Sequence, residues 1–222
     1  SGFLNKEQLL ELQNEYGWEI LSHSKTNPTS SSGTLMPDMP ESEARYELEQ
    51  SKKELIAMGL NVESYAVVGG VYETRERKLF REYYRAALQS QRGPYDGVNQ
   101  SPIHTHDLYT YWVDPSAQPL LGYLEEYPKE VAIQKTLDRA FAAIDKVHEE
   151  GGILIIGTHF RQINDDDYKQ MYRDLIDYAK SKTKVTTLKD ALDNYGNIVE
   201  LGDFANEHAT SLFRREPESG HF

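Results

Sequence analysis

Two periods of apolar residues alternate along this chain. A 3.6-residue period carries Leu9, Leu12 and Tyr16 behind Asn5 and Gln8, a spacing that fits a capping box, and Gly17 ends that helix. "WEILSH" follows as a strand, and the stretch from Lys25 to Pro40, rich in Asn, Pro, Ser and Gly, reads as a long loop. The next helix turns Ala44, Leu48, Leu55 and Met58 inward and stops at Gly59, and "VESYAVV" is a strand running into Gly69 and Gly70. A helix from about Arg75 to Tyr84 and a short strand over Ala86–Leu88 precede a loop-rich segment from Ser90 to Gly122. Pro128 opens a long helix striped by Ile133, Leu137, Ala140, Phe141, Ile144 and Val147. "GGILIIG" is apolar without alternation, the pattern of a parallel strand covered on both faces. Asn164 caps a helix presenting Tyr168, Met171, Tyr172, Leu175, Ile176 and Ala179, and Asp165–Asp167 at its start read as further capping residues. "KVTTL" reads as a strand, "LKDALDNYG" as a last short helix, and residues 204–222 as a polar tail.

Alternation of this kind predicts an α/β fold, either an open doubly wound sheet or a (β/α) barrel, and one domain over residues 1–203. In both architectures the chemistry gathers at the C-terminal ends of the strands. His23 leaves "WEIL" and His159 leaves "ILIIG", so both are expected on that end, each beside a hydroxyl residue, Ser24 or Thr158.

A net charge of −12 argues against a nucleic-acid binder, which wants a basic face. No apolar stretch approaches the ~20 residues of a membrane span. Without cysteine, a metal would have to be held by His, Asp, Glu or Asn. The other dense ligand cluster is "HTHD", His104 to Asp107, whose histidines could share a metal with Asp107 if the segment is extended, but which reads first as a polar loop that hydrogen-bonds internally or to solvent. His148, beside Glu149 and Glu150, reads as solvated surface. Tyr109, Tyr111 and Trp112 form an aromatic cluster that either stacks on sugar rings or packs under a loop. Nucleophile-elbow, P-loop and dinucleotide fingerprints are missing from the sequence.

"GWEILSHSKTN", the helix–strand–glycine run "ELEQSKKELIAMGLNVESYAVVGG", "AIDKVHEEGGILIIGTHF" and the closing "MYRDLIDYAKSKTKVTTLKDALDNYGN" together resemble the polysaccharide deacetylases. This is the NodB-homology fold of carbohydrate esterase family 4, and the likeness is to its phage-tail or cell-surface members. The resemblance implies a distorted or incomplete (β/α) barrel with parallel strands. It also implies a divalent metal, commonly zinc, that activates water against an N- or O-acetyl group of a sugar. Carried over by residue, His23 matches the first histidine ligand, and Asn27 stands where a second histidine is usual. Ser24 matches the hydroxyl beside the ligand and His159 the catalytic acid. Gly69 falls in the turn whose backbone N–H serves an oxyanion hole, and Tyr109, Tyr111 and Trp112 fall near the sugar groove. The family's first motif, Thr-Phe-Asp-Asp-Gly, does not precede "SGFLNKEQ". The chain is therefore expected to begin in mid-domain, with an open seam filled by a missing N-terminal fragment, another chain or the tail. The expected partner is an acetylated polysaccharide or a peptidoglycan-type sugar, met outside the cell, at a cell surface or on a virion. Asn27 and the missing aspartates leave an alternative: a catalytically degenerate glycan-binding or phage structural module on the same fold.

Overall fold

A computed structural model describes residues 4–28, 34–70, 72–89, 98–100, 103–117, 119–159, 164–194 and 198–199. The helices are α1 (Lys6–Asn14), α2 (Glu41–Ala57), α3 (Thr74–Tyr83), α4 (Leu120–Glu126), α5 (Lys129–Glu150), α6 (Asp166–Lys182) and α7 (Leu188–Asn194). The strands are β1 (Ser64–Ala66), β2 (Ala86–Gln89), β3 (Val98–Asn99), β4 (Ile103–His104), β5 (Leu108–Trp112), β6 (Ile153–Gly157) and β7 (Ile198–Val199). No helix among the described residues is long and apolar enough to cross a membrane.

The main sheet has the order β1-β2-β5-β6-β3. Its first four strands are parallel, and only β3 runs antiparallel, against β6. The segment before His23 joins the β1 edge through a single parallel bridge, Ser22 to Tyr65. The fold is α/β with a mostly parallel sheet, and its helices divide unevenly between the two faces. Because side chains alternate along a strand, Tyr65, Ala87, Tyr111, Val113, Leu154 and Ile156 share one face. On that face α2 and α3 bury the first two residues, and α4, α5 and α6 bury the other four. Packing there includes the Tyr65 ring lying 5.1 Å from both Phe80 and Tyr84. The opposite face carries Ala86, Leu88, Leu108, Ile153 and Ile155, closed near its N-terminal end by Leu188, Ala191 and Leu192 of α7. Glu19 pins α7 in place, accepting from Ser64 Oγ at 3.0 Å and from the Lys189 backbone N–H at 2.8 Å, and Arg85 pairs with Asp193 at 2.6 Å. The connecting helices thus wind on one side of the sheet, whereas a doubly wound sheet puts them on both.

Several elements differ from the sequence reading. The central strand β5 lies inside the segment read as loop, because Gly and Pro crowd its flanks and its aromatic residues look like a surface cluster. "KVTTL" forms no strand: residues 184–187 are an extended lead into α7, and Val185 is exposed. "WEILSH" keeps strand character only at Ser22. The strand "ILIIG" has a single fully buried residue, Ile153, and the rest are half-buried, so its C-terminal half is not covered on both faces. The helix α6 is capped by Asp165, not Asn164: its carboxylate accepts from the backbone N–H groups of Asp167 and Tyr168. Tyr16 and Met58 lie beyond their helices and are exposed. The 204–222 tail lies outside the described residues.

Candidate functional site

His23 and His159 both follow C-terminal ends of parallel strands, on the same edge of the sheet. The register fixes their offset. Ala66 is level with Leu88 and Leu88 with Leu108, and the Thr110–Ile155 pair puts Leu108 level with Ile153. The Ser22–Tyr65 bridge puts His23 level with Ala66. His159 therefore lies six residues (159 − 153) beyond the row of His23, and four strands away. In a flat sheet this is about 20 Å along the strands and about 19 Å across them, so only curling of the sheet draws the two rings together. They are best described as two half-sites.

At the first, the His23 Nδ1 lies 2.8 Å from the Ala66 carbonyl oxygen. A carbonyl only accepts, so the ring donates Nδ1–H, and in the neutral ring the lone pair lies on Nε2. The following loop hangs on Glu47, a buried side chain of α2. Glu47 accepts from Ser24 Oγ at 2.5 Å, from the Lys25 and Thr26 backbone N–H groups at 2.9 and 2.8 Å, and from Thr26 Oγ1 at 2.8 Å. Burial pushes the Glu47 carboxyl up, but these donors outweigh it and hold it below the usual range. The Ser24 hydroxyl thus gives its proton to holding the loop. Asn27 is exposed with φ +55°.

At the second, His159 is half exposed, with 53% of its side chain open, and Asp114 beneath it is fully buried. Asp114 Oδ2 accepts from the His159 backbone N–H and from Nδ1, both at 2.5 Å. Its Oδ1 accepts from the Ser116 backbone N–H at 2.7 Å and from Ser116 Oγ at 2.5 Å. Burial pushes this carboxyl up as well, and the four donors overcome it and hold it low. An ionised Asp114 fixes the imidazole with Nδ1–H inward and Nε2 on its open side. The Trp112 ring stacks on His159 at 4.8 Å and 14°. Gly157 makes room for that ring: a Cβ there would lie 2.6 Å from Thr110 Cγ2 and 3.1 Å from Trp112 Cε3. Thr158 and Tyr172 of α6 share a 2.6 Å hydroxyl contact behind the loop.

The aromatic cluster splits across the sheet. Trp112 lies on the His159 side, but Tyr111 points the other way, only 4% exposed among α5 and α6 residues, and burial pushes its phenol up to about 12. Tyr111 thus packs in the core, the second of the two uses its cluster allowed. Tyr109 shares its face and is half-buried. Gly69 occupies a left-handed position (φ +63°) in the turn after β1, which explains glycine there. The "HTHD" residues do not form a solvated loop. His106 is buried, its Nε2 2.8 Å from the Tyr84 carbonyl oxygen, and Asp107 accepts from Tyr72 and Gln89. His148 is exposed.

Asp114 and Glu47 were missed in the sequence. Asp114 carries a usable signal, an acidic residue before Pro115 at the exit of an apolar-aromatic run. Glu47 sits mid-helix among other charged residues and carries none.

A zinc centre takes three protein donors with room for water. Among the described residues no group of three or more His, Asp or Glu side chains stands together in a way that would hold an ion. His23 with Asn27 gives one imidazole and one weak amide donor, so these residues do not by themselves fit zinc.

No protein-family model matches the chain, and no curated protein matches it.

Proposed function

We propose that the chain is a hydrolase domain of the polysaccharide deacetylase type, removing acetyl groups from an N- or O-acetylated glycan of a cell surface. The observation that carries this reading is the Asp114–His159 pair: a buried, ionised carboxylate orienting a half-exposed imidazole at the C-terminal end of a parallel strand. In this role His159 delivers a proton from Nε2 to the leaving amine or alkoxide, and Asp114 stabilises the charged ring. Trp112 offers a flat apolar wall against which a sugar ring packs. The one-sided winding of helices supports an incomplete barrel, in which the sheet curls to bring the His23 edge toward His159. Zinc, which the resemblance implies, finds only His23 as a strong donor here, so donors beyond the described residues would have to complete its set.

That shortage, with Asn27 in place of an imidazole, favours a second reading: a glycan-binding module that no longer turns over. Acetate release and binding, measured side by side on acetylated amino-sugar oligomers, separate the two. Release that falls by roughly 10²–10⁴ in His159→Ala with binding retained supports the hydrolase. Binding without release supports the module, and absence of binding overturns both.

A further inference from the structure

The loop after His23 adopts a backbone that its residues do not favour. Ser24 has φ +71° and Asn27 φ +55°, the left-handed region where a Cβ crowds the chain and which asparagine tolerates better than serine. Such a backbone persists only where the surroundings over-determine it. Here one helix does so. Glu47 and Ser51 stand four residues apart on α2, hence on one face. Ser51 Oγ lies 2.7 Å from Ser22 Oγ, which also receives the Tyr84 hydroxyl at 2.9 Å. Glu47 takes the four donors of Ser24, Lys25 and Thr26. The two side chains hold the residues on either side of His23 and leave the histidine between them.

We infer that Glu47 is a positioning residue for His23: with Ser51 it brackets the histidine, so that Nδ1 stays on Ala66 and the Nε2 lone pair is presented in one direction. A carboxylate suits this place because all four partners are donors, and a carboxylate accepts without donating. Three of the donors, Ser24 Oγ and the Lys25 and Thr26 backbone N–H groups, meet Oε2, and the Thr26 hydroxyl meets Oε1, so glutamine could keep the set as a weaker, neutral acceptor, and only removal of the carboxylate frees the loop. The inference rests on the proposed function only in taking His23 as part of the site.

The test uses the whole chain and needs no activity. In Glu47→Ala, amide exchange is read at Lys25 and Thr26, the His23 tautomer by two-bond ring ¹H–¹⁵N correlations, and the His159 ring by the same spectrum. Exchange at Lys25 and Thr26 faster by about tenfold or more, a His23 ring losing its single-tautomer pattern, and an unmoved His159 ring are the expected result. An unchanged His23 pattern, or equal disturbance at His159, overturns the inference and leaves Glu47 a general structural residue. Should Glu47→Ala fail to fold, Ser24→Ala, which removes one of the four donors, replaces it. Exchange at Lys25 faster by about two- to fivefold then supports the bracket, and unchanged exchange refutes it. Failure of acetate release would not touch these readouts, so the two proposals fail separately.

Discussion

The two histidine loops are built on one plan and differ in one respect. Each hangs from a buried carboxylate that accepts four hydrogen bonds, Glu47 under the His23 loop and Asp114 under the His159 loop. At His159 the carboxylate touches the ring. At His23 it touches only the loop, and the ring donates to a neutral carbonyl, Ala66 O. A carboxylate against Nδ1 favours an imidazole that gains positive charge during a reaction, whereas a carbonyl only sets its tautomer. The molecule therefore keeps one ring suited to moving protons and one suited to offering a lone pair.

The sharpest way to break that comparison is Asp114→Asn. The amide keeps the shape but cannot accept from the His159 Nδ1–H and the Ser116 N–H with both ends. Acetate release should fall by about 10²–10⁴, with glycan binding changed little. Equal activity in Asp114→Asn and the parent chain would show that the contact with the ring is idle and that the two loops do not differ in function.

What the sequence made legible follows the same division. His159 was readable because it ends an apolar run, and His23 because it ends a shorter one before a polar loop. Strand β5 was not, since its alternation is carried by tyrosines and its flanks by proline and glycine. With β5 went the recognition that Tyr111 and Trp112 face opposite sides, and that Asp114 arrives under His159. Glu47 and Ser51 could not be read at all: their roles come from a long-range contact, and local periodicity sees only a charged helix face. The one-sided packing of helices is likewise a property of the crossovers and leaves no mark in any one element.

Gly157→Ala tests the Trp112 side of the second loop. A methyl group there meets Thr110 Cγ2 at 2.6 Å and Trp112 Cε3 at 3.1 Å, and backbone strands cannot part without breaking the β5–β6 pairing. A cost of ~1–3 kcal/mol is expected, or a fall of roughly 2–10 °C in the midpoint of melting for a chain of this size. The indole should also leave the imidazole, seen as a change in Trp fluorescence and in the His159 ring shifts. The His23 signals should stay in place.

Acid separates the loops by a smaller margin. Both carboxyls are held below their ordinary values of 4.5 for Glu47 and 3.8 for Asp114. A depressed folded-state pKa gives stability that is fully present above the unfolded-state value and is lost as pH falls through the folded one. The loss should begin below about pH 4.5 at the His23 loop and below about pH 3.8 at the His159 loop. Urea midpoints measured down to pH 3 should show a shallower acid decline in Glu47→Gln and in Asp114→Asn than in the parent chain. A decline identical in all three would mean that neither carboxylate is linked to folding as its hydrogen bonds imply.

The smallest effect is expected at Tyr172. As the His23 loop has Ser51 beside Glu47, the His159 loop has a second support, the 2.6 Å contact between Thr158 Oγ1 and the Tyr172 hydroxyl. Burial pushes the Tyr172 phenol up, so it stays neutral at ordinary pH. Tyr172→Phe keeps the ring packed against the second core cluster and removes one hydroxyl. Thr158 is half-buried and can turn its own hydroxyl toward solvent, so the loss should be modest, ~0.5–1.5 kcal/mol. If Asp114 alone orients the ring, the shape of the pH–rate profile should be unchanged in Tyr172→Phe even where the rate drops a few-fold. A displaced profile would mean that Tyr172 acts on the imidazole through Thr158, and that His159, like His23, is held from two sides.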